Sequence, residues 1–236
     1  MYNYILYLII SILFIILFFL LYSNFYQISH YSNFFQISHQ KVCDDIHNQK
    51  SLYTKQKILR GFLSNEECDS IIKEGENYSS IHGWTTKRHD NYPTTDNKIN
   101  TNWKCYSNIE KKIKQILYPE FSNLFNINKT LLEIEELFIA KYDGNLNNAQ
   151  KSLDFHEDDS EFSFIIALND NYEGGGTYFV KNKKIVNLNK GDVVIFCGQT
   201  RHGGLPVTEG VRYILPGFIY YGKCEQLDDD DDDDDE

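Results

Sequence analysis

From Leu132 onward the chain is a succession of short runs, LEIEELFIAKY, SEFSFIIAL, TYFV, KIVNL, DVVIFC and VRYILPGFI, parted by Gly, Asn and Asp. β-Branched and aromatic residues dominate these runs, and no helical pattern lies between them. Strands that succeed one another without intervening helices pair antiparallel and close as a sandwich or barrel. A chain of 236 residues has room for one such domain plus appendages.

Two helical patterns precede the β region. KILRGFLSNEECDSIIKEGEN reads as a short strand and turn leading into a helix opened by Ser64. Glu67, three residues on, completes a capping box, and Ile71 and Ile72 are expected to face inward. NIEKKIKQIL, residues 108–117, gathers Ile109, Ile113, Ile116 and Leu117 on one helix face. Between the helices, a polar-aromatic stretch with Trp84, Arg88, His89 and residues 92–96 (YPTTD) reads as a loop that either borders a substrate groove or simply covers the surface.

Other segments stand outside this domain. Residues 4–22 (YILYLIISILFIILFFLLY) carry no charge, and as a helix they would span about 28 Å, close to the hydrocarbon thickness of a bilayer. That length, the absence of lysine before Lys41 and the poor cleavage residues Ser23-Asn24-Phe25 predict an uncleaved anchor rather than a signal peptide. A tandem duplication follows, YSNFYQISH then YSNFFQISH, read as a stalk; the duplication itself accounts for the matching His30 and His39 without a metal role. Of the formal charge of −11, nine negatives lie in residues 228–236, leaving the rest near −2. That run reads as a solvated tail, and so neutral a body excludes nucleic acid as a partner.

Histidine is scarce after the stalk. His156 and Asp158 form H-E-D, a spacing that in an extended strand sends both side chains to one face. His202 follows DVVIFC, where a barrel would bring it beside them. Two imidazoles and one carboxylate on one face of an octahedral ion leave three positions open, the facial triad of non-haem iron(II) oxygenases. Arg212, within VRYILPGFI, suits the distal carboxylate of 2-oxoglutarate, which a guanidinium holds through two parallel hydrogen bonds; the alternative is a surface ion pair on an edge strand.

Residues 153–218 resemble the catalytic domain of the procollagen lysyl and prolyl hydroxylases, through LDFHEDDSEFSFIIALN, YEGGGTYF, KGDVVIF and HGGLPVTEGVRYI in that order. Upstream, GFLSNEECD is similar to the entry segment of the prolyl 4-hydroxylase group. The resemblance is to the iron(II)/2-oxoglutarate-dependent dioxygenase superfamily. It implies a mainly β (α+β) fold, with a double-stranded β-helix (jelly-roll) core and flanking N-terminal helices, here preceded by a transmembrane helix. It implies iron(II), 2-oxoglutarate, dioxygen and ascorbate, with His156, Asp158 and His202 as iron ligands. Arg212 becomes the 2-oxoglutarate anchor, and Tyr142, in AKYDG, a support for the cosubstrate. The reaction implied is hydroxylation of peptidyl proline or lysine as 2-oxoglutarate is decarboxylated to succinate. The arginine anchor, with ALN, GGG and GLPVT, leans toward the lysyl branch, although the glycosyltransferase-like portion of animal lysyl hydroxylases is missing from this chain.

The organisation expected is therefore a transmembrane anchor at 1–22, a stalk at 23–57, an N-terminal helical support region at 58–130, the double-stranded β-helix core at 131–222 and the acidic tail at 223–236. Anchor and resemblance together predict a membrane protein with a lumenal, endoplasmic-reticulum-like catalytic domain and a protein or peptide substrate. Three other readings stay open: the same chemistry on a small molecule, a catalytically inactive β-barrel binding module, and a cupin-like metal enzyme independent of 2-oxoglutarate. Gly174–Gly176 reads as a turn rather than a phosphate loop, and Cys197 as a buried small residue rather than a nucleophile. The sequons at Asn77 and Asn128 agree with a lumenal setting.

Overall fold

Residues 51–222, Asp90 excepted, are described by a computed structural model. The anchor, the duplicated stalk with His30 and His39, and the acidic tail lie outside the described residues. Among the described residues, no helix is long and apolar enough to cross a membrane.

Each β run of the sequence becomes a strand, in a fold of antiparallel sheets. The strands are β1 (Gln56–Leu59), β2 (Asp96–Lys98), β3 (Leu132–Asp143), β4 (Leu153–His156), β5 (Phe162–Ala167), β6 (Glu173–Gly174), β7 (Thr177–Phe179), β8 (Lys184–Val186), β9 (Val193–Cys197), β10 (His202–Gly204), β11 (Val207–Glu209) and β12 (Val211–Tyr221). A six-stranded sheet runs β1-β9-β5-β12-β3-β2, a four-stranded sheet β4-β10-β7-β8, and β11 pairs with β6. Alternation sorts the large sheet's side chains. Phe138, Ala140 and Tyr142 of β3, Ile165 and Ala167 of β5, and Val194 and Phe196 of β9 point inward to meet Phe179 and Val186 of the small sheet. The intervening residues are buried too, because helices cover the outer face. This double burial explains why β5 and β9 are apolar without alternation. The architecture matches the jelly-roll expectation.

Helix α1 (Asn65–His82) opens as foreseen: the Ser64 hydroxyl accepts from the Glu67 N–H while the Glu67 carboxylate accepts from the Ser64 N–H. Ile71 is buried, whereas Ile72 is only half-buried. A Cβ on Gly75 would lie 2.8 Å from Ile139 Cδ1, so this glycine lets α1 approach β3 closely. The second helical pattern runs further than expected, as α2 (Tyr106–Lys112), a π turn over Ile113–Leu117 and α3 (Tyr118–Phe125). Ile109, Ile113, Leu117, Phe121 and Phe125 are all buried, but Ile116 is exposed, contrary to expectation. Four-residue steps overshoot an α-helical turn, and the wider π turn returns the stripe to the sheet. α3 reaches the outer face of β5, where the Phe125 and Phe162 ring centroids lie 4.7 Å apart.

Two short strands of the N-terminal part join the large sheet: β1, the short strand expected ahead of α1, and β2, which was not expected. β1 extends the large sheet beside β9, and β2, which begins at the last residue of the stretch read as loop, adds to its other end beside β3.

Candidate metal centre

The small sheet brings the two histidines together. β4 and β10 pair antiparallel with His156 directly opposite His202, and their ring centroids stand 4.4 Å apart. His156 Nδ1 lies 2.8 Å from the Asp154 carbonyl and His202 Nδ1 2.9 Å from that of Thr200. A carbonyl only accepts, so Nδ1 carries the proton of each neutral ring and Nε2 keeps a free lone pair. Both Nε2 atoms face Asp158, at 3.3 Å from its Oδ1 for His156 and 3.9 Å from its Oδ2 for His202.

Asp158 reaches this position differently from the expected route. β4 ends at His156, so strand alternation does not align the two side chains; the carboxylate comes from the loop that follows. Backbone ties hold that loop: Asp158 N–H donates to the Gly198 carbonyl at 2.9 Å, Gly198 N–H to that of Glu161 at 2.9 Å, and Gln199 Nε2 to that of Asp158 at 3.1 Å. Gly198 is required here, since a Cβ would sit 1.8 Å from the Ser160 oxygen.

One ligand atom each from His156, Asp158 and His202 fits within 4.8 Å, and all three residues are buried. Burial opposes ionisation of Asp158, but the imidazoles and the Ser163 hydroxyl outweigh it and hold the carboxyl below its ordinary range. Burial likewise disfavours protonation of His156, and here Asp158 prevails and raises its pKa; for His202 burial wins and lowers it. An ionised carboxylate converging with free imidazole lone pairs is a donor set suited to a divalent transition metal.

Arg212 occupies the same cavity. It lies on β12 opposite Tyr142 of β3, in the interior of the large sheet, and is 4% exposed, which removes the edge-strand alternative. Nη1 donates to the Gly176 carbonyl at 3.3 Å and Nη2 to Thr177 Oγ1 at 3.2 Å, while Nε has no partner. Among the described residues, no carboxylate forms an ion pair with it. A buried cation without a counter-charge is costly and fits an anionic ligand. A cavity of about 50 Å³ lies between Arg212 and the histidines, lined also by Tyr142, Thr177 and Gly204. The Arg212 guanidinium stands 5.8 Å from the Tyr142 ring centre. Burial pushes the Tyr142 phenol up to about 12 despite Arg212, so it stays protonated. Gly174, Gly175 and Gly176 all have positive φ, the expected turn, and place the Gly176 carbonyl before Arg212.

A second, wider cleft of about 420 Å³ also reaches His156 and Asp158, bordered by Arg88, His89, Tyr92, Glu135, Glu157, Asp159 and Phe218. The Tyr92 ring lies 5.0 Å from that of His156. Arg88 is bound to Asp96 and Glu136, which neutralise it. Trp84 does not join this cleft; it stacks near Tyr213 and Lys141. Cys197 is fully buried with its thiol pushed up to about 11, mainly by burial, which makes it a poor nucleophile. The sequence reading missed Ser163 and Thr177. Each is a hydroxyl within a strand otherwise apolar or aromatic, and that anomaly was the available signal.

No protein-family model matches the chain. Among curated proteins, the chain is 32% identical over 175 residues to chicken procollagen-lysine,2-oxoglutarate 5-dioxygenase 1, covering 66% of this chain and 23% of that protein. It is 27% identical over 176 residues to the rat multifunctional procollagen lysine hydroxylase and glycosyltransferase LH3, covering 66% and 22%. The chain therefore spans less than a quarter of the length of these relatives. Among solved structures, the viral collagen prolyl hydroxylase of Paramecium Bursaria Chlorella virus-1 superposes with a TM-score of 0.53 at 20% identity, over 70% of this chain and 96% of that one. A Pseudomonas putida prolyl-4-hydroxylase gives 0.56 at 15% identity, over 77% and 98%.

Proposed function

We propose, for a chain that belongs to the iron(II)- and 2-oxoglutarate-dependent dioxygenase superfamily, that it hydroxylates lysine or proline side chains of a protein substrate. The observation that carries this reading is the buried, carboxylate-free Arg212 sharing a cavity with His156, Asp158 and His202.

In this reading, His156, Asp158 and His202 hold iron(II), and Arg212 with Thr177 binds the distal carboxylate of 2-oxoglutarate. Bound iron(II) supplies the dioxygen chemistry that couples decarboxylation of 2-oxoglutarate to succinate with hydroxylation of a C–H bond, and ascorbate maintains its oxidation state. Asp154 and Thr200 carbonyls keep both Nε2 atoms available for coordination. Tyr142, protonated, serves as a donor beside Arg212. Phe138, Phe164, Phe196 and Ile214 line the cavity and keep water from the reacting atoms.

The open cleft beside His156 supports a peptide rather than a small molecule, which would favour a closed pocket. Glu135, Glu157 and Asp159 border it with no salt bridge among the described residues, which favours a basic segment and hence lysine over proline. Membrane attachment through residues 4–22, with the domain facing a lumen, belongs to the same reading and rests on the apolar run alone.

Succinate release by the full chain in detergent, supplied with iron(II), 2-oxoglutarate and ascorbate, tests it against lysine-bearing and proline-rich peptides. Stimulation by lysine peptides, lost in His156→Ala, is the expected result. Stimulation by proline peptides alone would reassign the substrate, and iron binding without turnover on any peptide would favour a small molecule. Failure to bind iron would leave a binding module.

A further inference from the structure

Asp158 differs from the two histidines in lying on a loop, so no strand pleat fixes its side chain. Its carboxylate nevertheless has a dedicated partner. Ser163 Oγ lies 2.5 Å from Asp158 Oδ2, and Ser163 is 1% exposed. The residue sits on β5, on the same face as Ile165 and Ala167, which belong to the apolar core. Ser160 Oγ stands 3.1 Å from Ser163 Oγ and 3.0 Å from the Phe162 carbonyl. An ionised carboxylate has no proton to give, so the single hydroxyl proton of Ser163 goes to Asp158. Oδ1 remains directed at His156 Nε2, 3.3 Å away.

We propose that Ser163 is a positioning residue for the metal centre: its hydroxyl occupies one carboxylate oxygen of Asp158 and leaves the other as the single donor to the ion. This rests on the metal-binding reading above and adds a reason for a hydroxyl in an apolar layer. A carboxylate free to chelate through both oxygens would take two positions of an octahedral ion, whereas one oxygen with two imidazoles leaves three positions open. Those positions are needed for a chelating cosubstrate and a gas molecule together.

The test is metal binding by the full chain in detergent, with manganese(II) as a redox-inert probe and the visible spectrum of the cobalt(II) form as a report of coordination number. Ser163→Ala is expected to bind manganese(II) about 10- to 100-fold more weakly, the effect typical of losing a partner behind a metal ligand, and to alter the cobalt(II) spectrum. Ser163→Thr, which keeps the hydroxyl, should restore both. If Ser163→Ala does not fold, Ser163→Cys carries the same expectation, being nearly isosteric but a weak donor. Unchanged affinity and spectrum in a folded Ala or Cys variant, or no rescue by Thr, would reduce Ser163 to a packing residue. A wild-type chain that binds neither ion would remove the metal centre itself and this proposal with it.

Discussion

His156 and His202 are cross-strand partners, so the register of β4 against β10 sets the separation of two candidate ligands. A slip of one residue would turn either imidazole to the other face of the sheet. Their role as ligands can be separated from their role in pairing. A cross-strand pair contributes roughly 0.2–1 kcal/mol, so His202→Ala should lower the melting temperature of the metal-free protein only slightly. A ligand that binds only the folded state stabilises it by mass action, about 2.7 kcal/mol at a hundredfold excess over Kd. Thermal unfolding with and without manganese(II) should show that stabilisation in the wild type and none in His202→Ala. Equal stabilisation of both would mean that the ion binds elsewhere.

Arg212 should behave oppositely in stability and in binding. With no carboxylate paired to it among the described residues, its guanidinium is a buried charge that the folded protein holds through the Gly176 carbonyl and the Thr177 hydroxyl but without a counter-charge. Arg212→Met fills similar volume without charge, so the ligand-free protein should be as stable as wild type or more so. The same variant should lose affinity for 2-oxoglutarate by about 100-fold or more, as expected when a two-bonded charged contact is removed. Calorimetric titration with 2-oxoglutarate, beside melting curves of the ligand-free proteins, checks both halves. A destabilised Arg212→Met with intact binding would make the residue structural.

The parts of this fold that were legible in the sequence are those that local chemistry determines. Ser64 and Glu67 lie three residues apart and announce α1, and the apolar runs that became β3, β5 and β9 are dense enough in β-branched and aromatic residues to stand alone. β2, β4 and β10 were not legible, because DNK, LDFH and HGG carry no dense run of β-branched and aromatic residues and form strands only through partners distant in sequence. Asp96–Lys98 is a strand because β3 pairs with it, and His202–Gly204 because it lies between β4 and β7. The candidate ligand residues were readable as residue types at a spacing, yet the geometric reason offered for Asp158, strand alternation from His156, does not hold because β4 ends at His156. Contacts with Gly198 and Gln199, some forty residues away in sequence, place that carboxylate, and the H-E-D motif encodes none of them. Ile116 was misplaced for a related reason: the π turn that exposes it answers to the sheet beneath, not to the helix's own spacing.

The capping box gives α1 a pH signature. Burial would raise the Glu67 pKa, but Lys112, the Ser64 N–H and Asn108 together hold it below the ordinary value of 4.5. A carboxylate with a depressed folded-state pKa adds stability above its unfolded pKa and loses it as pH falls through the folded value. Stability from this group should therefore be complete above about pH 5 and decline below pH 4.5. Glu67→Gln should flatten that part of the profile in melting curves taken from pH 6 to pH 3. Ser64→Ala should cost roughly 1 kcal/mol across the range, the usual loss on removing an N-cap. An unchanged acid limb in Glu67→Gln would show that the depressed pKa belongs to other carboxylates.

Two glycine substitutions should separate general destabilisation from damage to the site. At Gly61, φ is +61° and an added Cβ meets nothing within 4 Å. Gly61→Ala therefore suffers only the left-handed backbone, about 1 kcal/mol. At Gly198, an added Cβ would stand 1.8 Å from the Ser160 oxygen and 2.8 Å from its carbonyl carbon, both backbone atoms that no rotamer change can move. Relief requires the loop containing Ser160 to shift, and Asp158 lies on that loop, tied to Gly198 through its own N–H. Gly198→Ala should cost about 1–3 kcal/mol from overpacking and also move a candidate ligand away from the two imidazoles. Manganese(II) affinity should thus fall at least tenfold in Gly198→Ala and stay near wild type in Gly61→Ala, even where their melting temperatures drop by similar amounts. If affinity instead followed melting temperature alike in both variants, the tie between Gly198 and Asp158 would have no special part in placing the carboxylate.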